Sequence, residues 1–260
     1  MSTPSHFLIY DRIAPVSKTK HKDWSVSAGE DFSFAKSINS VPLTTLEFSS
    51  ASMEYPIIFT GDEDEVMPAA ILGVSDYQNL YVKETGAWKT KYIPAYLRRY
   101  PFIFSKSEDQ QRLTLCIDEA FSGCNQNAKG ERLFNNEGEK TSYLESVLYF
   151  NNKYQGAFVN TQNFCRKLKD FNLLDVMNAE LTFSSGHRVN LSGFQAISRD
   201  RLKKLADEAL LSMLKSDELE FIYLHLNSIK NFALMIDRVT QQEINENTQD
   251  IIIKTGHVIH

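Results

Sequence analysis

The sequence predicts an α+β fold, in which a mainly antiparallel sheet in the N-terminal half packs with a C-terminal helical portion that contains a β-hairpin. From about residue 41 to 117, apolar residues form short runs bounded by turn residues, which is the pattern of β-strands. After residue 140, apolar residues recur with a period close to that of an amphipathic helix. Strands followed by helices are typical of the α+β class.

The predicted strands are short and lie close together in the chain. They fall in VPLTTLEF, EYPIIFTG, MPAAILGV, NLYVKETGAWKTKYI, FIFSK and RLTLCID. Within the fourth segment, NLYVKETGAW is typical of a hairpin, because ETG supplies a short polar loop and Gly86 tolerates a positive φ. Short connections of this kind favour antiparallel pairing.

The first long helix is predicted to begin near residue 142. Ser142 and Glu145 have the spacing of a capping box. A single apolar stripe follows, made of Tyr143, Val147, Phe150 and Tyr154. We expect Gly156 to end or bend this helix, and Thr161 to cap a second one.

The remaining C-terminal elements are a hairpin and further helices. The segment AELTFSSGHRVNLSGFQAIS predicts a hairpin around Ser185–Gly186. Ser198 is then expected to begin a helix, with Leu205 and Met213 on its apolar face. The last predicted helix runs from about Asp217 to Arg238, with a break near Asn231.

We interpret residues 1–240 as a single domain, sheet-rich over 41–117 and helix-rich over 141–238. Residues 241–260 form a C-terminal extension that ends in DIIIKTGHVIH. That ending fits an edge strand, a strand of a partner or an ordered extension, and the sequence alone does not choose between them.

Composition limits the kinds of partner. The formal net charge of −5 gives no cationic field that would draw the chain to nucleic acid or to an anionic membrane. No apolar run approaches the roughly 20 residues that span a bilayer, and the opening residues lack an apolar segment of signal-peptide length. We therefore expect a protein of the cytoplasm, without a transmembrane segment.

The cysteines and histidines do not form recognisable sites. Cys116, Cys124 and Cys165 have neither CxxC spacing nor an even count, which argues against a disulfide framework or structural zinc. The histidines include no HExxH or other metal-site spacing, and no nucleotide-binding or GxSxG motif is present. We therefore predict no metal, no cofactor and no catalytic residue. His225, on a predicted helix, fits a helix-packing histidine better than a catalytic base.

The most distinctive segment is YIPAYLRRYPF, Tyr92 to Phe102, in which two arginines lie between aromatic residues and two prolines. Pro94 suits the first position of a helix, and Pro101 disfavours helical backbone at the residue before it. The segment therefore predicts a helix of one or two turns. On such a turn Arg98 and Arg99 point roughly 100° apart, so they are not expected to share one target.

Arginine forms planar ion pairs with acids and also stacks on aromatic rings. We expect one of the two arginines to pair with a buried acid, such as Glu47 or Asp118, and the other to stack on an aromatic ring or bind a ligand. An anionic ligand, carrying a carboxylate or a phosphate, is the functional alternative to purely structural pairing.

Several stretches, in this order, resemble the SapC-like family. They are LEF, EYPIIF, AAILGV, NLYVKETGAW, YIPAYLRRYPF, LCID, LFNNEGE and the long segment GFQAISRDRLKKLADEALLSMLKSDELEFIYLHLNSIKNF, which together extend the similarity over roughly residues 8 to 238. The resemblance implies a bacterial protein associated with the export of surface-layer proteins and implies no defined reaction. The positions that carry over are Glu47, Asn79, Trp88, Arg98, Arg99, Asp118 and His225.

Three hypotheses follow from the residues and the resemblance. The preferred one is a non-catalytic accessory protein that binds a protein or peptide partner linked to export or surface assembly, using Arg98, Arg99, Glu47, Trp88, Asp118 and His225. The alternative is an enzyme, or a partner of one, that acts on a peptide or small anionic substrate held by an arginine, with His225 or Asp118 near the chemistry. A third hypothesis is a homo-oligomer that associates through the C-terminal extension.

Overall fold

A computed structural model describes residues 9–61, 65–106, 112–183, 186 and 188–241. The strands are β1 (Ile13–Pro15), β2 (Ser25–Val26), β3 (Ser40–Pro42), β4 (Ile57–Thr60), β5 (Met67–Ile71), β6 (Phe102–Lys106), β7 (Leu113–Asp118), β8 (Cys124–Asn125), β9 (Glu131–Arg132), β10 (Leu174–Thr182) and β11 (Arg188–Ile197). The helices are α1 (Lys18–His21), α2 (Phe48–Ala51), α3 (Ala95–Arg98), α4 (Ser142–Asp170), α5 (Arg199–Leu202), α6 (Asp207–Lys215), α7 (Glu218–Ser228) and α8 (231–241).

The predicted α+β class is confirmed. The largest sheet has the strand order β10-β11-β4-β5-β3, and every neighbouring pair is antiparallel. A second sheet has the order β1-β7-β6, and a small third sheet has the order β8-β2-β9. Within the described residues, no helix combines the length and the apolar character that crossing a bilayer requires.

The largest buried cluster lies around the five-stranded sheet. Ile57, Ile58 and Phe59 of β4 are consecutive and all buried, because side chains that alternate between the two faces of this strand are covered on both. α7 and α8 contribute Ile222 and Met235 to the same cluster. A separate cluster joins β6 and β7 to the start of α4.

The predicted strand VPLTTLEF is wrong beyond its first residues. β3 ends at Pro42, and Thr45–Glu47 form a 3₁₀ turn that leads into α2. Thr44 and Glu47 make a capping box, in which the Thr44 backbone N–H donates to Glu47 Oε2 at 2.8 Å. This T-x-x-E signature starts a helix and overrides the strand pattern.

The predicted hairpin at NLYVKETGAW forms as an irregular turn. A single β-bridge joins Val82 to Trp88, and Gly86 has a φ of +85°. The positive φ favours glycine, and a Cβ atom at this position would also force the Asp31 side chain to move.

The helix α4 is longer than predicted and is not interrupted. Its N-cap is Thr141, whose side chain accepts a hydrogen bond from Leu144 N, so the predicted cap at Ser142 is one residue late. Gly156 lies in the middle of the helix and neither ends nor bends it into two helices. Thr161 does not cap a second helix: it is fully buried within α4, where it accepts a hydrogen bond from Thr45 N at 2.9 Å.

The C-terminal hairpin consists of β10 and β11. A bulge interrupts their register between Met177 and Ala179, and Gly193 at this point has a φ of +80°. The predicted turn at Ser185–Gly186 falls partly on residues 184, 185 and 187, which lie outside the described residues. The predicted break near Asn231 is observed, since residues 229–230 form a turn between α7 and α8.

Candidate functional site

The segment Tyr92 to Phe102 forms the short helix that its prolines predict. Pro94 has extended ψ and stands just before α3, not at its first turn, while the Tyr100–Pro101 peptide bond is cis. Arg98 is exposed, whereas Arg99 retains only 8% of its surface. The two neighbouring arginines therefore point into different surroundings, as the helical geometry requires.

Arg98 borders a cavity of about 470 Å³, which we call the aromatic cavity. Three parts of the chain form its walls: the loop around residues 28–34, the segment 93–102 with Phe121, and the first half of α4. The lining residues are Ala28, Gly29, Asp31, Phe32, Phe34, Ile93, Leu97, Arg98, Arg99, Tyr100, Phe102, Phe121, Tyr143, Ser146, Val147, Phe150 and Asn151.

Three rings pack against one another in the wall of the aromatic cavity. The ring centroids of Phe34 and Tyr100 are 4.3 Å apart, and those of Tyr100 and Phe121 are 5.1 Å apart. The Tyr100 hydroxyl donates to Asp118 Oδ2 at 3.1 Å, which fixes the ring from outside the cavity. Burial, followed by the neighbouring Asp118 charge, raises the pKa of Tyr100 above its ordinary value. This wall is therefore apolar, ordered by its own packing and uncharged.

Arg98 is the exposed cation at this cavity. Its Nε donates to the Ile93 carbonyl at 2.9 Å, and its guanidinium lies 5.2 Å from the ring centroid of Phe150 and 5.7 Å from that of Tyr92. None of the ion pairs among the described residues includes Arg98. The guanidinium is thus positioned by a carbonyl and two rings, not by an acid.

Arg99 is buried among tyrosine rings. Its guanidinium carbon is 4.5 Å from the ring centroid of Tyr154, 4.7 Å from that of Tyr96 and 5.9 Å from that of Tyr10. Its Nε is buried and has no hydrogen-bond partner in the described structure. Burial raises the pKa of Tyr154, and the Arg99 charge offsets part of that rise.

The expected pairing of an arginine with Glu47 does not occur. Glu47 Oε1 accepts hydrogen bonds from the Tyr92 hydroxyl at 2.9 Å and from Ala95 N at 2.7 Å. Its Oε2 accepts hydrogen bonds from the backbone N–H and the hydroxyl of Thr44. Neutral donors thus surround the buried carboxylate, and they tie the segment before α3 to the start of α2. Glu47 fixes the position of the arginine helix without contacting either arginine.

The expected pairing of an arginine with Asp118 is also wrong. The buried Asp118 carboxylate accepts from the backbone N–H groups of Asp11, Arg12 and Ala120 at 2.9 to 3.0 Å, besides the Tyr100 hydroxyl. Three of these four donors are backbone N–H groups and the fourth is a neutral hydroxyl, so the spacing of charged side chains could not predict them. Asp118 joins β1 to β7 and supports the cavity wall.

Trp88 and Asn79 form hydrogen bonds and packing contacts within the fold, away from the aromatic cavity. Trp88 Nε1 donates to the Tyr55 hydroxyl at 2.9 Å, and its ring stacks on Tyr81 with a centroid distance of 6.0 Å. Asn79 is buried, donates to the Ala35 carbonyl and accepts from Tyr81 N. Neither side chain lines the aromatic cavity.

His225 is fully buried between α7 and the large sheet. Its Nε2 accepts a hydrogen bond from Ile197 N at 3.0 Å, and its ring lies 5.0 Å from the Phe59 centroid. Burial lowers the pKa of His225 to about 4, against a smaller opposing contribution from the Ile57 backbone. A neutral, packed imidazole of this kind holds the helix on the sheet.

The aromatic cavity therefore brings together Arg98 and Arg99 and does not include Glu47, Trp88, Asp118 or His225. The enzyme hypothesis requires His225 or Asp118 beside the arginines, and the described structure does not place them there. Among the residues described, no three His, Cys, Asp or Glu side chains are grouped so that they could hold a metal ion.

Sequence reasoning missed most of the cavity wall. The sequence predicts Tyr143, Val147 and Phe150 on one apolar stripe of the helix, and each of these side chains is only half-buried because the aromatic cavity lies against it. Phe34 lies in a short 3₁₀ turn, Ser33–Ala35, and Phe121 lies in a loop, and neither segment has a periodic signal in the sequence. The apolar stripe from Tyr143 to Tyr154 is the sequence signal at this wall, and it indicates an apolar helix face without indicating that a cavity adjoins it.

Comparison with known proteins gives a single result. No curated protein and no solved structure matches the chain. The SapC family model matches residues 16–235, a span that contains α3, the aromatic cavity and both arginines. Because the match covers most of the chain, this protein belongs to the SapC family.

Proposed function

We propose that the protein is a non-catalytic accessory protein that binds a polypeptide through the aromatic cavity. The ligand inserts an apolar or aromatic side chain between the rings, and its adjacent carboxylate pairs with Arg98. The observation that carries the proposal is the exposed Arg98 guanidinium, held by the Ile93 carbonyl and without an acidic partner among the described residues, at the edge of an aromatic-lined cavity.

The size and lining of the cavity support a ligand of this kind. Ligand sites are usually concave, mostly apolar and equipped with a few polar groups, and typical volumes run from about 300 to 1,000 Å³. A cavity of about 470 Å³ fits the lower half of that range, which suits one side chain and the neighbouring backbone. The bound aromatic ring would pack against Phe34, Phe121 and Phe150.

The charges around the cavity favour an anionic ligand group. Asp31 also lines the cavity, but its carboxylate accepts from Ser33 N at 2.9 Å. The hydrogen bonds from Ser33 hold the pKa of Asp31 below its ordinary value, so this residue stays charged near neutral pH. The Asp31 charge is thus engaged by Ser33, whereas the Arg98 guanidinium forms no ion pair among the described residues and is the charge available to an anionic ligand group.

The proposed biological role follows from the family. The SapC-like resemblance implies an association with the export of surface-layer proteins, and we propose that the polypeptide bound here is an exported or surface protein, or a component of its export or assembly. A cytoplasmic location belongs to this proposal. Self-association through residues 241–260 is a further, separate possibility. It is tested by whether removing residues 242–260 changes the number of chains in each particle in solution.

The cavity is tested with N-acetyl-phenylalanine, which combines an aromatic ring with a carboxylate, and with N-acetyl-phenylalanine amide, which lacks the charge. Isothermal titration should give saturable binding of the acid, with the amide weaker by roughly tenfold or more, because a charge-assisted hydrogen bond is lost. Arg98→Gln should remove that difference between acid and amide.

A variant whose new side chain fills the aromatic cavity provides a second test of the binding site. Ser146 lies on α4 in the cavity wall, so Ser146→Trp should abolish binding of both compounds. Asn152→Trp places the same ring at an exposed position of α4 outside the cavity and should leave binding unchanged. Absence of saturable binding by the unmodified protein, or full binding by the Ser146→Trp variant, would refute the site.

The biological role is tested by co-purification from the bacterium. An exported, surface or export-associated protein should be recovered with the unmodified protein and with Asn152→Trp, and lost with Ser146→Trp. Recovery of such a partner equally by all three proteins would show that it binds elsewhere and would remove the aromatic cavity from the proposed role.

A further inference from the structure

A second cavity of about 380 Å³ follows the aromatic cavity along α4 and β6. We call it the polar cavity, because hydroxyl, amide and charged side chains form much of its lining. The lining residues are Glu65, Arg99, Ile103, Phe104, Ser105, Lys106, Leu113, Tyr154, Gln155, Phe158, Val159 and Gln162. Arg99 is the residue that it shares with the aromatic cavity.

The guanidinium of Arg99 is associated with the polar cavity. It lies closest to the ring of Tyr154, at 4.5 Å from the centroid, and Tyr154 lines the polar cavity but not the aromatic cavity. By contrast, Arg98 lies over Phe150, which lines the aromatic cavity alone. The two adjacent arginines therefore serve two different cavities.

Arg99 is a buried cation that forms no ion pair with any described residue. Its Nε–H also has no acceptor in the described structure. The rings of Tyr10, Tyr96 and Tyr154 attract the cation through their faces, and the Tyr10 hydroxyl accepts a hydrogen bond from the Arg99 side chain. Neither kind of contact supplies the negative charge of a carboxylate. A buried charge with an unused donor is normally matched by an anion.

We propose that the polar cavity binds a small monoanion of the carboxylate class, with Arg99 as its cationic ligand. Ser105, Gln155 and Gln162 line the same cavity and offer the neutral donors that a carboxylate also requires. Glu65 and Lys106 line it with opposite charges, which offset each other. The charge of Arg99 then suits one negative charge, and the Glu65 carboxylate disfavours a dianion such as phosphate.

This site does not depend on the ligand of the aromatic cavity. It involves a different arginine, a different stretch of α4 and a ligand without an aromatic ring. A small monocarboxylate bound here would give Arg99 an ion-pair partner, whether or not a polypeptide occupies the aromatic cavity.

The experiment follows the arginine Nε–H signals of ¹⁵N-labelled full-length protein by NMR during titration with sodium acetate. Sodium chloride and sodium phosphate at equal ionic strength serve as comparisons. The Arg99 signal, identified by its disappearance in Arg99→Lys, should move saturably with acetate, little with chloride, and with at least roughly tenfold weaker affinity for phosphate.

Two α4 variants locate the binding. Gln155 lines the polar cavity, so Gln155→Trp should abolish the acetate-dependent movement while Arg99 stays in place. Asn160→Trp, at an exposed position of the same helix outside both cavities, should retain it. A signal that does not move with acetate, or moves equally in Gln155→Trp, would overturn the site, and tighter binding of phosphate would overturn the monoanion class. The aromatic probes of the proposed function play no part in this test.

Discussion

Replacing His225 by glutamine tests whether this histidine is a packed structural residue. A glutamine amide oxygen retains an acceptor for the Ile197 N–H group but has no proton to gain between pH 4 and 7. The variant therefore keeps the hydrogen bond that fixes β11 to α7 and removes the titration. Some stability is lost at every pH, because the contact with the Phe59 ring is changed.

The expected effect on stability depends on pH in a defined direction. An unfolded histidine has a pKa near 6.5, whereas burial lowers the pKa of folded His225 to about 4. Between these values the unfolded state takes up the proton first, so acid favours unfolding. The full difference corresponds to about 3 kcal/mol of unfolding free energy, present above pH 6.5 and lost progressively as the pH falls to about 4.

Urea denaturation from pH 7 to pH 4, followed by circular dichroism, measures the effect. Subtracting the curve of His225→Gln from that of the unmodified protein cancels the contribution of carboxylates common to both. The unmodified protein should lose about 3 kcal/mol more than the variant over this range. A difference that stays constant to within about 0.5 kcal/mol would refute a buried neutral His225 and reopen a chemical role for it.

Two further substitutions test α4. Gly156 lies exposed in mid-helix, with open space where a Cβ atom would lie. Gly156→Ala should therefore raise the unfolding free energy, measured by urea denaturation, by about 0.5 to 1 kcal/mol. A decrease in the unfolding free energy would mean that the helix is interrupted there. Thr161→Val should cost about 1 to 3 kcal/mol, because the buried Thr45 N–H loses its acceptor. Asn160→Ala is the exposed control. Equal losses of unfolding free energy in Thr161→Val and Asn160→Ala would contradict the buried contact.

The sequence predicted the fold class because strand and helix periods are local properties. It failed where a specific contact outweighed the pattern. The capping box of Thr44 and Glu47 converted a predicted strand into a helical turn, and packing against Thr45 fixed Thr161 inside a continuous helix. In α4, the hydrogen bonds and apolar contacts of a long helix outweigh the modest cost of one glycine.

The directions of the two arginines were predicted, whereas their partners were not. The spacing of Arg98 and Arg99 correctly indicated two directions, because the angle per residue is a fixed property of a helix. Their partners depend on residues far apart in the chain. Backbone N–H groups donate to Asp118, and a short 3₁₀ turn brings Phe34 to the cavity, and side-chain spacing reveals neither contact. The organisation as a single domain over residues 1–240 stays a prediction.

The central claim is that a ligand with an aromatic ring and a carboxylate binds between Arg98 and the rings of the aromatic cavity. Intermolecular NOEs between N-acetyl-phenylalanine and the full-length protein measure this contact directly. The ligand ring should give NOEs to Phe34, Phe121 and Phe150, and these should be absent in Ser146→Trp. Saturable binding with NOEs only to residues outside this cavity would contradict the claim.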